Sequence, residues 1–178
     1  MTYRNENQIW ADIISLLKMA VQAKNISDCT VMRSFQPVDV QIQPTILIHR
    51  ISQNRYGWRG RKDKVINNVM HHIESYHQEL RFQVDVLKKI DISNPNDLTA
   101  TDIANLLVDW LESDKGLKEM RSLGFMPLRI QSMPESTFVN QHDNYQINPH
   151  FDIICYIQQE IDENQDVVDG YEFTLKGV

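Results

Sequence analysis

The sequence predicts an α+β fold: a mostly antiparallel twisted sheet with two or three helices packed on one face. Three observations point there. Two segments carry apolar residues at helical spacings of three and four behind a capping signal. Several others alternate apolar and polar residues, the period of a half-buried antiparallel strand. The helical segments are grouped among the strands, which argues for helices laid on a sheet.

Asn5 followed by Gln8 has the form of a capping box. Ile9, Ile13, Leu16, Leu17, Ala20 and Val21 then share one face, with Asp12, Ser15, Lys18 and Gln22 opposite, so a helix is predicted to end near Asn25. Pro37 and Pro44 bracket a loop, and residues 45–51 form a short β-rich run. Residues 54–63 hold two glycines in polar text and are predicted to be an exposed, mobile loop. After residue 69 no Gly or Pro interrupts the chain as far as Lys88. Leu80, Phe82, Val84 and Val86 alternate there with Arg81, Gln83 and Asp85, a strand whose polar first part, residues 71–78, extends away from the core.

Residues 94–97 read as a turn, and Thr99 with Asp102 makes a second capping box. Behind it Ile103, Leu106, Leu107, Trp110 and Leu111 form the clearest helical stripe in the chain. A shorter helix over residues 115–123 stops at Gly124, in the position of a C′ glycine. The remainder reads as β. Met126, Leu128 and Ile130 alternate, with Pro127 marking an edge strand. Residues 136–140 and 145–159 flank a turn at Asp143 and Asn144, and Phe151, Ile153, Cys155 and Ile157 share one face. Tyr171, Phe173 and Leu175 suggest a last short strand.

At 178 residues the chain is predicted to be one domain spanning residues 1–178. Its 42% hydrophobic and 24% charged residues match an ordinary globular protein. No run approaches the ~20 apolar residues of a membrane-spanning helix, and the polar start, Met1 to Gln8, lacks a secretory apolar core. The expectation is a protein that stays in the cytoplasm where it is made, without membrane contact. Cys29 and Cys155 lie far apart, outside any CxxC spacing, and are expected to be buried thiols.

The chain contains no GxSxG elbow, phosphate loop, GxGxxG or HExxH. His71, His77 and Glu79 would point to one side of a strand and offer metal ligands, but a polar strand face accounts for them more simply. Asp85 and Lys88, with Glu74 or Asp63, loosely match a metal-dependent nuclease, at a spacing too permissive to carry weight. The expectation is no enzyme, no catalytic or metal-binding residue and no cofactor.

Charge placement is the strongest non-random feature. Arg50, Arg55, Arg59, Arg61, Lys62 and Lys64 crowd one stretch against Asp63 alone, with Tyr56 and Trp58 interleaved. Glu160, Asp162, Glu163, Asp166, Asp169 and Glu172 crowd another with no basic residue between. Three readings stand: a solvated loop, a nucleic-acid-binding or nuclease-like surface using the basic residues 50–64, or self-association. In the last, Arg55, Tyr56, Trp58, Arg59, Arg61 and Lys62 of one copy meet Glu160, Asp162, Glu163 and Asp166 of the next, a heterologous contact that closes into a ring when the rotation permits. The net charge of −6 gives the whole protein no attraction to nucleic acid.

Four stretches also carry a family resemblance: residues 79–86 (ELRFQVDV), residues 99–104 (TATDIA) opening a helix, Gly124 before a strand, and residues 145–152 (YQINPHFD). In this order and spacing the chain resembles the tail-terminator (neck) proteins of tailed bacteriophages, from about Thr45 to Ile161. The resemblance implies a virion structural protein, made in the host cytoplasm, that forms a ring, six-membered in that family. Such a ring caps the tail tube or sheath and presents a surface to head-connector and neck proteins. It carries over no catalytic residues and gives the basic stretch no family role, so that stretch can face a neighbouring subunit, a partner ring or, transiently, genomic DNA in the lumen.

Overall fold

The computed structural model describes residues 4–34, 43–67, 69–89, 94, 96–131, 135–139 and 145–165. Helix α1 (Glu6–Ala23) starts at the Asn5 capping box: the Gln8 amide donates to Asn5 Oδ1 at 2.9 Å, and the Asn5 amide donates to Gln8 Oε1 at 3.0 Å. Helix α2 (Ala100–Glu112) starts the same way at Thr99. The Thr99 hydroxyl and amide both reach the Asp102 carboxylate, at 2.7 and 2.9 Å, and hold it below the ordinary aspartate range. Helix α3 (Asp114–Ser122) follows with only Ser113 between. The chain turns so tightly here that a Cβ on Gly116 would lie 2.1 Å from the Trp110 carbonyl oxygen, so only glycine fits. Gly124, at φ +76°, closes α3 as its C′ residue.

The strands are β1 (Thr30–Arg33), β2 (Thr45–Ile66), β3 (Val69–Leu87), β4 (Met126–Gln131), β5 (Glu135–Val139) and β6 (Tyr145–Gln165). They lie in the order β1-β2-β3-β6-β4, with β5 paired to the start of β6. Only β1 and β2 run parallel; every other pairing is antiparallel. Pro127 sits on the edge strand β4, where its missing N–H interrupts no central ladder.

The core forms where alternating strand residues meet the helical stripes. Ile46 and Ile48 of β2, Leu80, Phe82, Val84 and Val86 of β3, and Phe151, Ile153, Cys155 and Ile157 of β6 are all fully buried. They join one cluster with Ile13, Leu16 and Leu17 of α1 and Ile103, Leu107 and Leu111 of α2. Trp10 meets Phe82 edge-on, with centroids 5.5 Å apart, and the Arg33 guanidinium lies 4.0 Å over the Trp10 ring. No helix among the described residues is long and apolar enough to cross a membrane.

The structure corrects several sequence-based expectations. Residues 54–63 are not a loop: they continue β2, paired with β3 around a bulge. Strand β6 runs past residue 159 to Gln165, so its acidic end is strand as well. The short parallel strand β1 was not anticipated. Cys29 is half-buried rather than buried; burial raises its thiol pKa to about 11 and that of the fully buried Cys155 to about 12. The turn at Asp143 and Asn144 and the strand at Tyr171, Phe173 and Leu175 lie outside the described residues.

A candidate interface on a three-stranded arm

Strands β2, β3 and β6 outrun the helices that cover their core end. The boundary is marked by two buried amides, Gln78 and Gln159. Gln159 takes a hydrogen bond from the Arg4 amide at 2.8 Å and returns one to the Arg4 carbonyl at 3.1 Å, so both its polar ends are satisfied, as burial requires. From just short of this line outward, residues 53–57 and 59–66 of β2 are all exposed. The hairpin from Ser52 to its tip extends about 45 Å at ordinary strand rise. It reverses at Asn67, whose φ of 52° suits the left-handed conformation that Asn tolerates in tight hairpin turns.

Both margins of this arm are open among the described residues. Strand β1 pairs only with residues 45–48 of β2, and β4 reaches only as far as Tyr156 on β6. The β2 margin carries Arg55, Tyr56, Trp58, Arg59, Arg61, Lys62 and Lys64. The β6 margin carries Glu160, Asp162 and Glu163; Asp166 lies outside the described residues. The two predicted groups are therefore not brought together within one chain, because β3 runs between them. Lys62 and Asp162 both pair with Ile73, which sets opposite charges level on opposite margins.

The central strand tempers part of this charge. Glu74 takes Arg59 at 3.0 Å and Arg61 at 3.4 Å, and its side chain is only 18% exposed. His72 bonds Asp63 at 2.6 Å and His71 bonds Asp162 at 2.9 Å. Lys62 and Lys64 are exposed and make no ion pair among the described residues. Near the root, Tyr56 stacks on Tyr156 across β3 with centroids 5.4 Å apart, and the Arg55 guanidinium lies 4.7 Å over Tyr76. Desolvation, then the hydrogen bond to Glu79 at 3.2 Å, raises the Tyr156 hydroxyl pKa. Sequence reading considered Glu74 only as a nuclease acid and missed Tyr156, since neither role shows until the register sets Glu74 opposite Arg61 and the fold stacks Tyr156 on Tyr56.

The possible catalytic groupings come apart. His71 and His77 share a strand face but are about 20 Å apart along it, too far to hold one ion. No group of three metal-ligating side chains occurs among the described residues. Asp85 is engaged by His49 at 2.7 Å and Gln83 at 2.7 Å, and Lys88 by Asp97 at 2.5 Å. Glu74 lies some 35 Å up the strand from Asp85. An open groove beside α3 is lined mainly by apolar residues, among them Leu111, Met120, Ile130 and Ile153, with Glu112 and Arg121 as its charged residues.

Comparison with known proteins agrees with this architecture. The family described as E217 gateway protein gp29 matches residues 8–167. Among solved structures, the sheath/tube terminator of an extracellular contractile injection system, PVC, in its extended state superposes with a TM-score of 0.58 at 9% identity. All of this chain is covered, against 65% of that one, so the present chain spans less than two thirds of its neighbour's length. At that identity the likeness is one of fold. No curated protein matches the sequence.

Proposed function

The chain belongs to the E217 gateway protein gp29 family of bacteriophages, and from that premise we propose that it is a structural subunit of the virion tail, a terminator or neck ring. In this reading identical copies close into a ring of six, which caps the tail tube or sheath and offers its other surface to the head connector. The chain acts by assembling, and no reaction is assigned to it. The interface residues are Arg55, Tyr56, Trp58, Arg59, Arg61 and Lys62 on one side of the arm and Glu160, Asp162 and Glu163 on the other, together with Asp166, which lies outside the described residues.

The observation that carries the reading is the arm, with opposite charges on its two open margins. A sheet exposed on both faces, with unpaired margins, gains little stability by itself. It invites pairing with another chain. Two unlike margins on one molecule specify a heterologous contact, and such contacts close into rings where the rotation permits. The contractile-system terminator adds support by analogy of fold. The nucleic-acid reading is weaker, because Glu74 already neutralises part of the Arg59 and Arg61 charge that phosphates would need.

Native mass measurement of the purified protein, with imaging of virions, tests the proposal. The expected result is a closed oligomer of six copies, located where the tail meets the head connector. A protein that stays monomeric at high concentration and is absent from particles would overturn it.

A further inference from the structure

We infer that neighbouring copies join by main-chain pairing: the outer margin of β2 in one copy adds alongside the outer margin of β6 in the next, so the arms form one continuous sheet around the assembly. The inference rests on the ring reading and names the contact that builds it.

Backbone geometry supplies the first argument. Beyond Ile48 on β2, and beyond Tyr156 on β6, the outward N–H and C=O groups meet no strand among the described residues. Each margin is a template for strand addition. Strand β2 is antiparallel to β3, and β3 to β6, so β2 and β6 run the same way. Rotation about a ring axis keeps that sense, and the new ladder is parallel.

Charge supplies the second. Like margins repel: two β2 margins would set Lys62 and Lys64 against each other, and two β6 margins would do the same with Glu160 and Asp162. The unlike pairing alone is attractive, which selects the heterologous contact over a twofold one. The register agrees with this choice. Gly60, Lys62 and Lys64 lie on the same face of the arm as Glu160 and Asp162, and Lys62 stands level with Asp162. With no stagger between copies, a Lys62 side chain lies beside Asp162 of its neighbour.

The third argument is apolar. Val65, Ile66 and Val69 at the hairpin tip are 64%, 39% and 40% exposed. A tip of this composition sits poorly in water unless another chain covers it.

The test uses cysteine pairs on the two margins: Lys62→Cys or Lys64→Cys combined in one chain with Glu160→Cys or Asp162→Cys. Within a copy, Lys62 and Asp162 stand two strand spacings apart, about 9.5 Å. A disulfide needs Cα atoms within ~7 Å, so one can form only between copies. The expected result is a ladder of covalent oligomers on oxidation, strongest for one pairing register. Single-cysteine variants and the parent chain, with Cys29 and Cys155, should not give it. Rings seen by native mass measurement without cross-links in any register would overturn this contact and leave the ring standing. A parent chain and double variant that both stay monomeric would overturn both.

Discussion

The two ends of strand β3 obey different rules. From residue 80 to 86 every second side chain is fully buried, and Phe82 lies beneath Trp10. From residue 69 to 75 no side chain is fully buried, and the ladder to β2 and β6 continues regardless. Backbone pairing needs no particular side chain, whereas burial on one face demands apolar residues at a period of two. The core end is thus specified by side chains. The arm is specified by backbone pairing and register.

This contrast predicts where substitutions act. Phe82→Ala should be the most damaging, at about 3–5 kcal/mol of folding stability, measured by urea denaturation; a loss no larger than a surface change would mean the core end is not what holds the sheet. Gly116→Ala should follow, with a cost of about 1–3 kcal/mol, because the new methyl runs into the Trp110 carbonyl. Thr99→Ala removes a cap and should cost about 1 kcal/mol.

The Thr99 effect carries a pH signature. Asp102 is held below its ordinary pKa in the fold. Its stabilising contribution is therefore present above the unfolded-state value, about 4, and lost as pH falls through the lower folded value. The gap between parent and Thr99→Ala should narrow as the solution is acidified below about pH 4, and a gap independent of pH would break this assignment.

On the arm the prediction inverts. Lys62→Glu with Lys64→Glu should move folding stability by less than about 0.5 kcal/mol while abolishing assembly in mass measurements. Adding Glu160→Lys and Asp162→Lys should restore it. Arg59 and Arg61 are less clean probes, since reversing them places carboxylates beside Glu74 in the same chain. Full assembly by the Lys62 and Lys64 variant would show that this margin is not the contact.

The same contrast explains what the sequence could reveal. Both capping boxes, the α2 stripe, the C′ glycine and the alternation of residues 80–86 were legible because each is a local rule enforced by burial or by a helix end. The arm was half legible. Its opposite charge runs were plain, but Gly57 and Gly60 among polar residues look like a loop when no buried face imposes a period. Gly57 in fact occupies the bulge with φ +78°, and Gly60 lies close against Ser75, where a Cβ would come within 2.6 Å of its hydroxyl. Strand β1 escaped notice because only four residues form it and Val31 alone among them is buried. That the charged margins flank a common strand could not be read at all, since it depends on pairings between residues far apart in sequence.

The bulge also has a bearing on the size of the proposed ring. Between Tyr56 and Gly60, β2 advances four residues while β3 advances from His77 to Ser75, so one side of the hairpin is longer than the other. Unequal sides force a ribbon to coil. In the proposed ring, a coiled ribbon would deliver its margin to the next copy at an angle, and that angle would fix how far each copy turns about the common axis. Trimming the surplus at Gly57 would straighten the ribbon and change the turn per copy, and an assembly whose turns no longer sum to a full circle grows as an open spiral.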